Sequence, residues 1–298
     1  MSPRRALITG GGGQLASDLE LQLAGPWEVA APSHADLDVA DDSSVEALFA
    51  ELAPEVVFNC AAYHNVDACE RTEDTAFEVN ARAVKRLAER CAEAGARFIH
   101  MSTNYVFDGS RAEPYAEDDL PRPRSAYAIS KLAGEHAALA YAPGSLVVRT
   151  AGLYGLRGSA SKGGNFVTRM IARAREQGEI RMVADQRLSP TFTADLATVL
   201  IAAVEAGAGG VVHLTNSGEC SWYEFTTAIM ELAGIDVRIE PVATSRPPGG
   251  ADRPLNGVLA RPRADSLGLP PMRDWRDALC DYLDRAELAT AAAQEPAS

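Results

Sequence analysis

Arg5-Ala6-Leu7-Ile8-Thr9-Gly10-Gly11-Gly12-Gly13-Gln14-Leu15-Ala16 decides the fold: a short apolar run breaks into four glycines and then into a helical pattern with leucines at 15, 19, 21 and 23. That is strand, glycine turn, helix. Four consecutive glycines also suit a flexible linker, but a linker would not sit in register between a buried strand and an amphipathic helix. Taken as G-x-x-G-x-x-A on Gly10, Gly13 and Ala16, the turn lets backbone approach a pyrophosphate. It also aims a helix N-terminus, beginning at Gln14 and Leu15, at that group. Alanine at 16 is the smallest substitute for the third glycine of such a turn.

Outward from this unit, apolar runs at 28–31, 55–62, 97–101, 146–149 and 210–214 read as strands. Helical spacing covers 41–52, with Asp42 or Ser43 as cap, a long segment through Asn80 to about Gly95, the stretch from a Ser125 cap to about Tyr141, and 193–206. This alternation predicts an α/β protein with a doubly wound parallel sheet of the Rossmann type, whose ligands bind beyond the carboxyl ends of the strands. Further helices at 165–177, 222–234 and about 273–285 predict a smaller α/β C-terminal substrate-binding region. The expected division assigns 1–150 and 191–216 to dinucleotide binding, 151–190 and 217–285 to substrate, and the alanine-, glutamine- and serine-rich 286–298 to a disordered tail. Gly152 to Gly164 has the glycine and serine content of a flap over a substrate.

A net charge of −13 and a pI near 4.9 argue against a nucleic-acid or anionic-membrane surface. Five cysteines, Cys60, Cys69, Cys91, Cys220 and Cys280, lack C-x-x-C spacing, so neither a disulfide framework nor a metal site is expected. No signal-peptide pattern precedes the first strand and no run of eighteen apolar residues occurs, so a cytoplasmic location is expected.

The chemistry begins in Ser125-Ala126-Tyr127-Ala128-Ile129-Ser130-Lys131, which sets a phenol and an ammonium four residues apart on one helix face. A nearby cation stabilises the phenolate, making Tyr127 a better proton donor at neutral pH. Lysine is scarce here, with Lys85, Lys131 and Lys162 the only ones among 28 lysines and arginines. Ser102-Thr103, at the carboxyl end of the 97–101 strand, places a hydroxyl where it can bind a substrate carbonyl while Tyr127 protonates it and a nicotinamide supplies hydride. Cys60, Ala61 and Ala62 leave room for that cofactor. Pro32-Ser33-His34 stands where an NAD site usually carries a carboxylate; Ser33 and His34 suit a 2′-phosphate, while nearby Asp36 and Asp38 keep NADH open. Arg246, Arg253, Arg261 and Arg263 form a basic segment of the composition that holds a diphosphate.

Taken together, Phe58-Asn59-Cys60-Ala61-Ala62-Tyr63, Val66-Asp67, Ser102-Thr103-Asn104-Tyr105-Val106-Phe107-Asp108-Gly109, Tyr127 through Gly134-Glu135, Gly164-Asn165-Phe166, Asp185-Gln186, Pro190-Thr191 and Arg253-Pro254-Leu255-Asn256 resemble dTDP-4-dehydrorhamnose reductases. These belong to the extended short-chain dehydrogenase/reductase superfamily, and the resemblance runs from the first strand to about Leu279. It implies reduction of the 4-keto group of a nucleotide-diphospho-6-deoxyhexose by NADPH, or by NADH, to dTDP-L-rhamnose or a related natural-product deoxysugar. By matching motif it implies Tyr127 as the acid, Lys131 as the cation that also meets the nicotinamide ribose, and Thr103 as the group orienting the carbonyl.

Around the cofactor the resemblance places Gly10, Gly13, Gln14, Leu15, Ser33, His34, Asp38, Ala61, Ala62, Tyr63 and Asn80, with Tyr127 and Lys131. Around the sugar it places His64, Val66, Asn104, Tyr105, Gly152, Asn165 and Arg253. Three positions depart from the family pattern. Asn104 replaces an aspartate, His64-Asn65 replaces Thr-Ala or Thr-Asn, and Gly152 replaces a tryptophan that would stack on the sugar. All three are expected to face the sugar, so they bear on which 4-keto sugar is used. The same superfamily includes a non-catalytic regulatory subunit of methionine adenosyltransferase, and the presence of Thr103, Tyr127 and Lys131 together argues against that alternative. A homodimer is compatible with these residues.

Overall fold

The computed structural model describes residues 3–157, 163–246 and 248–294, so part of the 152–164 stretch expected to form a flap lies outside the described residues. In chain order the strands are β1 (Arg4–Thr9), β2 (Trp27–Ala30), β3 (Val56–Asn59), β4 (Arg97–Thr103), β5 (Leu146–Thr150), β6 (Leu153–Tyr154), β7 (Glu179–Val183), β8 (Arg187–Leu188), β9 (Thr191–Phe192), β10 (Gly210–His213), β11 (Cys220–Ser221) and β12 (Arg238–Val242). The helices are α1 (Gln14–Leu23), α2 (Asp42–Leu52), α3 (Val66–Cys69), α4 (Glu73–Phe77), α5 (Ala83–Ala94), α6 (Ala126–Tyr141), α7 (Phe166–Gln177), α8 (Thr193–Glu205), α9 (Trp222–Leu232), α10 (Pro262–Ser266) and α11 (Trp275–Gln294). A π-helical turn, Glu78–Arg82, joins α4 to α5.

Six parallel strands form the main sheet in the order β10-β5-β4-β3-β1-β2. Strand residues alternate between its two faces. Ala6, Ile8, Phe58, Ile99, Met101, Leu146 and Val148 pack with Leu15, Leu19, Leu196 and Leu200 of α1 and α8. Leu7, Val57, Phe98 and Val147 face the other way, against Val45 and Phe49 of α2, Leu87 and Cys91 of α5 and Ala138 of α6. This is the doubly wound parallel sheet expected from the alternating pattern. The chain leaves β1 in one direction to β2 and returns to β3 on the other side, which opens a crevice at the carboxyl ends of β1 and β3.

A separate core joins Val167, Met170, Ile180, Phe225, Ile229 and Tyr282 from α7, β7, α9 and α11. Two expectations need correction here. Ala264, Leu269 and Met272 pack in the core of the main sheet, although 217–285 was assigned as a block to the substrate region. In addition, α11 continues to Gln294, so 286–294 are helical where a disordered tail was expected. The run Ala286-Glu287-Leu288-Ala289 through Gln294 is rich in strong helix formers, and attached to a packed helix it extends that helix. The α2 cap is Asp41, one residue ahead of the expected Asp42 or Ser43, and its carboxylate accepts the Ser43 N–H at 3.0 Å.

Two close backbone approaches shape the site. Gly10, at φ +75°, lies where a Cβ would fall 2.9 Å from the Ala61 nitrogen. Gly134 in α6 packs on the π turn so tightly that a Cβ would lie 2.2 Å from the Asn80 carbonyl oxygen. Gly134→Ala must push α6 away from that turn and is expected to cost about 1–3 kcal/mol. Urea denaturation at fixed pH measures this, and a variant as stable as the parent would contradict the close packing.

Candidate active site

Ser125 caps α6, its hydroxyl accepting the Ala128 N–H, so Tyr127 stands in the first turn, with Lys131 and Glu135 following at four-residue intervals on the same face. That face lies over the end of β4. The Lys131 ammonium, 2% exposed, donates to the Met101 carbonyl at 2.6 Å. Glu135 accepts from the Ser102 hydroxyl, and the half-buried Tyr127 phenol lies beside the Thr103 hydroxyl, which donates to Asn104 Oδ1 at 3.3 Å. Three successive residues of one strand thus meet three successive turns of one helix.

Burial drives the Lys131 pKa down to about 8, and the Glu135 carboxylate holds it from falling further. The Tyr127 phenol is pushed above its ordinary value by burial, with the Thr103 hydroxyl pulling it back. Tyr105 packs edge-on against Tyr127, ring centroids 6.0 Å apart. Its hydroxyl hydrogen-bonds Arg253, whose guanidinium pairs with Asp67 at 2.7 Å and holds that carboxyl below the usual range.

The glycine turn borders the crevice from the other side. Gly11 donates to the Pro32 carbonyl, and a Cβ on Gly11 would lie 2.0 Å from the Ala31 oxygen, so the turn lies flat on the start of the β2–α2 loop. Gly13 is the N-cap of α1 and provides no side-chain cap, leaving the first-turn N–H groups for a ligand. The buried Gln14 Oε1 beside them has no partner among the described residues. Backbone packed too closely for a Cβ at Gly10 and Gly11, together with uncapped first-turn N–H groups, suits a dinucleotide pyrophosphate. Leu15 turns its side chain into the core, which leaves only its backbone facing the crevice. Ser33 is hydrogen-bonded to Asp36 at 2.5 Å, and His34 and Asp38 are exposed at the rim.

A buried polar chain underlies the crevice. The Ala61 N–H donates to Thr9 Oγ1, Thr9 donates to Asn59 Oδ1 at 2.7 Å, and Asn59 Nδ2 lies 3.1 Å from His100 Nδ1. His100 therefore accepts at Nδ1. Burial, aided by the Lys131 charge, drives its pKa well below 6.5 and keeps it neutral. His64 Nδ1 lies 3.2 Å from the Ala62 carbonyl, and Val66 begins α3 beside it; both are half-buried.

Four sequence-based assignments change. Asn80 sits one layer behind the cofactor crevice: its Oδ1 accepts the Tyr63 N–H, while Nδ2 donates to the Tyr63 carbonyl and to Ser130. With its amide spent on protein partners and no exposed surface, it holds the Ala62–Tyr63 loop from behind. Asn104 is buried: its Nδ2 donates to the Gly257 carbonyl at 3.0 Å, tying β4 to the Arg253 loop, and its Oδ1 accepts from the Thr103 hydroxyl at 3.3 Å. Asn165 caps α7, and its Nδ2 donates to the Gly155 carbonyl and the Tyr282 hydroxyl, which makes it a structural cap. Gly152, at φ +55°, would direct a Cβ to 2.6 Å from Leu188 Cδ1, so the space a tryptophan would need is already filled.

Of the basic segment, only Arg253 reaches the site. Arg246 lies on the Gly250 carbonyl, Arg261 on Asp265 and the Leu269 carbonyl, and Arg263 on the Gly209 carbonyl. Glu135 and Arg149 were missed as functional candidates, although Glu135 follows Lys131 at the spacing that joins Tyr127 to Lys131. Among the described residues no three His, Cys, Asp or Glu side chains come together as metal ligands, and no helix is long and apolar enough to cross a membrane.

The family model for the RmlD substrate binding domain matches residues 4–288. The chain is 40% identical to a dTDP-4-dehydrorhamnose reductase of Mycobacterium tuberculosis, over 94% of this chain and 92% of that one. The chain belongs to the dTDP-4-dehydrorhamnose reductase family. It is also 39% identical to a dTDP-4-keto-6-deoxy-D-glucose reductase of Streptomyces niveus, over 92% of this chain and 95% of that one. Among solved structures, the Bacillus anthracis family member in complex with NADP superposes with a TM-score of 0.89 at 33% identity, covering 96% of this chain and 99% of that one.

The neutral state of His100 has a consequence for stability. In the unfolded chain this imidazole takes up a proton below about pH 6.5, whereas in the folded protein it does so only at much lower pH. Stability is therefore lost as pH falls through about 6.5, by up to about 1.4 kcal/mol per pH unit for each such histidine. His213, whose pKa burial lowers to about 3, contributes in the same direction. His100→Gln is expected to flatten the dependence of unfolding free energy on pH between about 6.5 and 4.5 by one proton, as measured by urea denaturation across that range.

Proposed function

We propose that this chain reduces the 4-keto group of a nucleotide-linked 6-deoxyhexose with NADPH. The first substrate to try is dTDP-4-dehydrorhamnose, giving dTDP-L-rhamnose, and the second is a related natural-product deoxysugar. The observation that carries the reading is that Tyr127 and the buried Lys131, one turn apart on α6, meet the end of β4 together, Tyr127 beside the Thr103 hydroxyl and the Lys131 ammonium on the Met101 carbonyl. Family membership and the NADP-bound relative support it.

When bound, NADPH supplies the hydride. The uncapped N-terminus of α1 and the flat Gly10–Gly11 turn hold its pyrophosphate. Thr103 hydrogen-bonds the keto oxygen and orients it. Tyr127 donates its proton to that oxygen as negative charge develops there, and the Lys131 ammonium stabilises the phenolate left behind. Because the Lys131 pKa is lowered to about 8, the ammonium predominates at neutral pH and is lost as pH rises through that value, so turnover falls on the alkaline side.

Substrate choice rests on His64, Val66, Tyr105 and Arg253, since Asn104, Asn165 and Gly152 are committed to the fold. Arg253, held by Asp67 and Tyr105, presents a guanidinium to the diphosphate. In the same proposal, the main-sheet core binds the cofactor and the core around Phe225 and Tyr282 supports the substrate side. A cytoplasmic location and a small nucleotide-sugar partner, not nucleic acid or membrane, complete the proposal, which also accommodates a homodimer. The assembled trio of Thr103, Tyr127 and Lys131 weighs against a non-catalytic cofactor-binding subunit.

NADPH oxidation against a panel of dTDP-4-keto sugars, with product stereochemistry read by NMR, tests the activity. Clear NADPH binding without oxidation by any member of the panel would favour the non-catalytic alternative. Tyr127→Phe is expected to lower kcat by about 10²–10⁴-fold while leaving the dissociation constant for NADPH unchanged in a fluorescence titration. Retained turnover would remove Tyr127 from the acid role.

A further inference from the structure

Arg149, on β5 beside Ser102 of β4, grips Glu135 at two points: Nε to Oε1 at 2.9 Å and a terminal nitrogen to Oε2 at 2.7 Å. The two side chains are only 4% and 2% exposed. Removing such a pair from water is costly, and an apolar pair of the same volume often serves stability as well or better. Arg149 is also imperfectly satisfied, because its other terminal nitrogen is buried with no partner among the described residues. The pair therefore invites an explanation beyond stability.

The charges of the neighbourhood supply one. Lys131 faces Glu135 from its own helix, Cys60 from the end of β3 and His100 from β4, and stands one helical turn from Tyr127. Arg149 faces Glu135, His213 of β10 and the ring of Phe107, whose centroid lies 5.1 Å from Cζ. Burial keeps both histidines neutral and the Cys60 thiol protonated. At neutral pH the charged members of the cluster are thus two cations, Lys131 and Arg149, and one carboxylate, Glu135. A carboxylate one turn from a buried ammonium would otherwise neutralise it; here the forked guanidinium takes both carboxylate oxygens.

We propose that Arg149 is a positioning residue of the reaction: by occupying Glu135 it leaves the Lys131 ammonium available to the phenolate that Tyr127 becomes on giving up its proton. The cluster then carries one excess positive charge before proton transfer and none after it, a change that favours transfer in a site with little water. The proposal rests on the reading of Tyr127 as the acid.

The chain contains only Lys85, Lys131 and Lys162 as lysines, so labelling lysine at the ε-carbon gives a short NMR spectrum in which Lys131 is the signal lost in Lys131→Met. Its titration is expected to move up by about one pH unit in Arg149→Met, where Glu135 turns to Lys131, and down by about one unit in Glu135→Gln. In Arg149→Met, kcat at pH 7 is expected to fall about tenfold although the ammonium fraction rises, with KM for NADPH unchanged. Shifts in the same direction in both variants, no shift in either, or a folded Arg149→Met with the parent kcat would overturn the proposal. Should Arg149→Met fail to fold, Arg149→Lys keeps the buried charge but grips Glu135 at one point. A smaller upward shift of Lys131 is then expected, and an unchanged or lowered value counts against the proposal. The titration reads Lys131 without turnover, so it decides the charge arrangement even where NADPH oxidation fails, a failure that would instead overturn the reading of Tyr127.

Discussion

A lysine ammonium taken almost wholly out of water is the constraint on which the rest of this site depends. Its loss of hydration costs several kcal/mol unless protein groups replace the water, and the replacements dictate local structure. The Met101 carbonyl must point at Nζ, which sets the register of β4 against α6. With that register, Ser102 falls opposite Glu135 and Thr103 opposite Tyr127. A shift of β4 by one residue would turn each of these side chains to the other face of the sheet. One buried charge thus aligns the whole reacting row.

Holding α6 that close to the sheet requires a neighbour able to yield. The π turn at Glu78–Arg82 supplies it, and Gly134 lets the two backbones meet. Asn80, in that turn, reaches past α6 to clamp both polar groups of the Tyr63 backbone, so the floor of the crevice and the catalytic helix are braced by one side chain. Beneath them, Thr9, Asn59 and His100 pass hydrogen bonds across three adjacent strands. Buried polar groups of this kind are tolerated only when partnered, and each partner here fixes a segment that borders the crevice.

Specificity has a different physical origin from catalysis in this chain. The reacting row comes from regular elements whose geometry the buried core enforces. The residues proposed to meet the sugar lie on loops and short turns: His64 beside α3, Tyr105 just after β4, and Arg253 braced by Asp67. Two of the three departures from the family pattern, Asn104 and Gly152, turn out to be packing solutions. Asn104 occupies the space over Gly257, and Gly152 leaves the space that Leu188 and Pro190 fill. Both are spent on the backbone around them, whereas His64 stays half-buried beside the Ala62 carbonyl.

Much of the fold was legible in the sequence because it rests on local signals. The alternation of apolar runs and helical spacing, the Gly10 to Gly13 turn, the Ser125 cap and the four-residue step from Tyr127 to Lys131 each involve neighbours in the chain, so the parallel sheet and the reacting pair could be read directly. Polar residues whose partners lie far away could not be assigned in this way. Asn80 answers to Tyr63 and Ser130, Asn104 to Gly257, Asn165 to Tyr282, and Glu135 to Arg149. An asparagine in a sequence carries the same donors and acceptors whether it meets a ligand or a backbone carbonyl. By itself the sequence determined the sheet, the glycine turn and the helix that carries Tyr127 and Lys131 on one face. Only the tertiary structure decided which polar side chains are spent on the fold and which remain to meet a substrate, because hydrogen-bond satisfaction is set by contacts between residues distant in the chain.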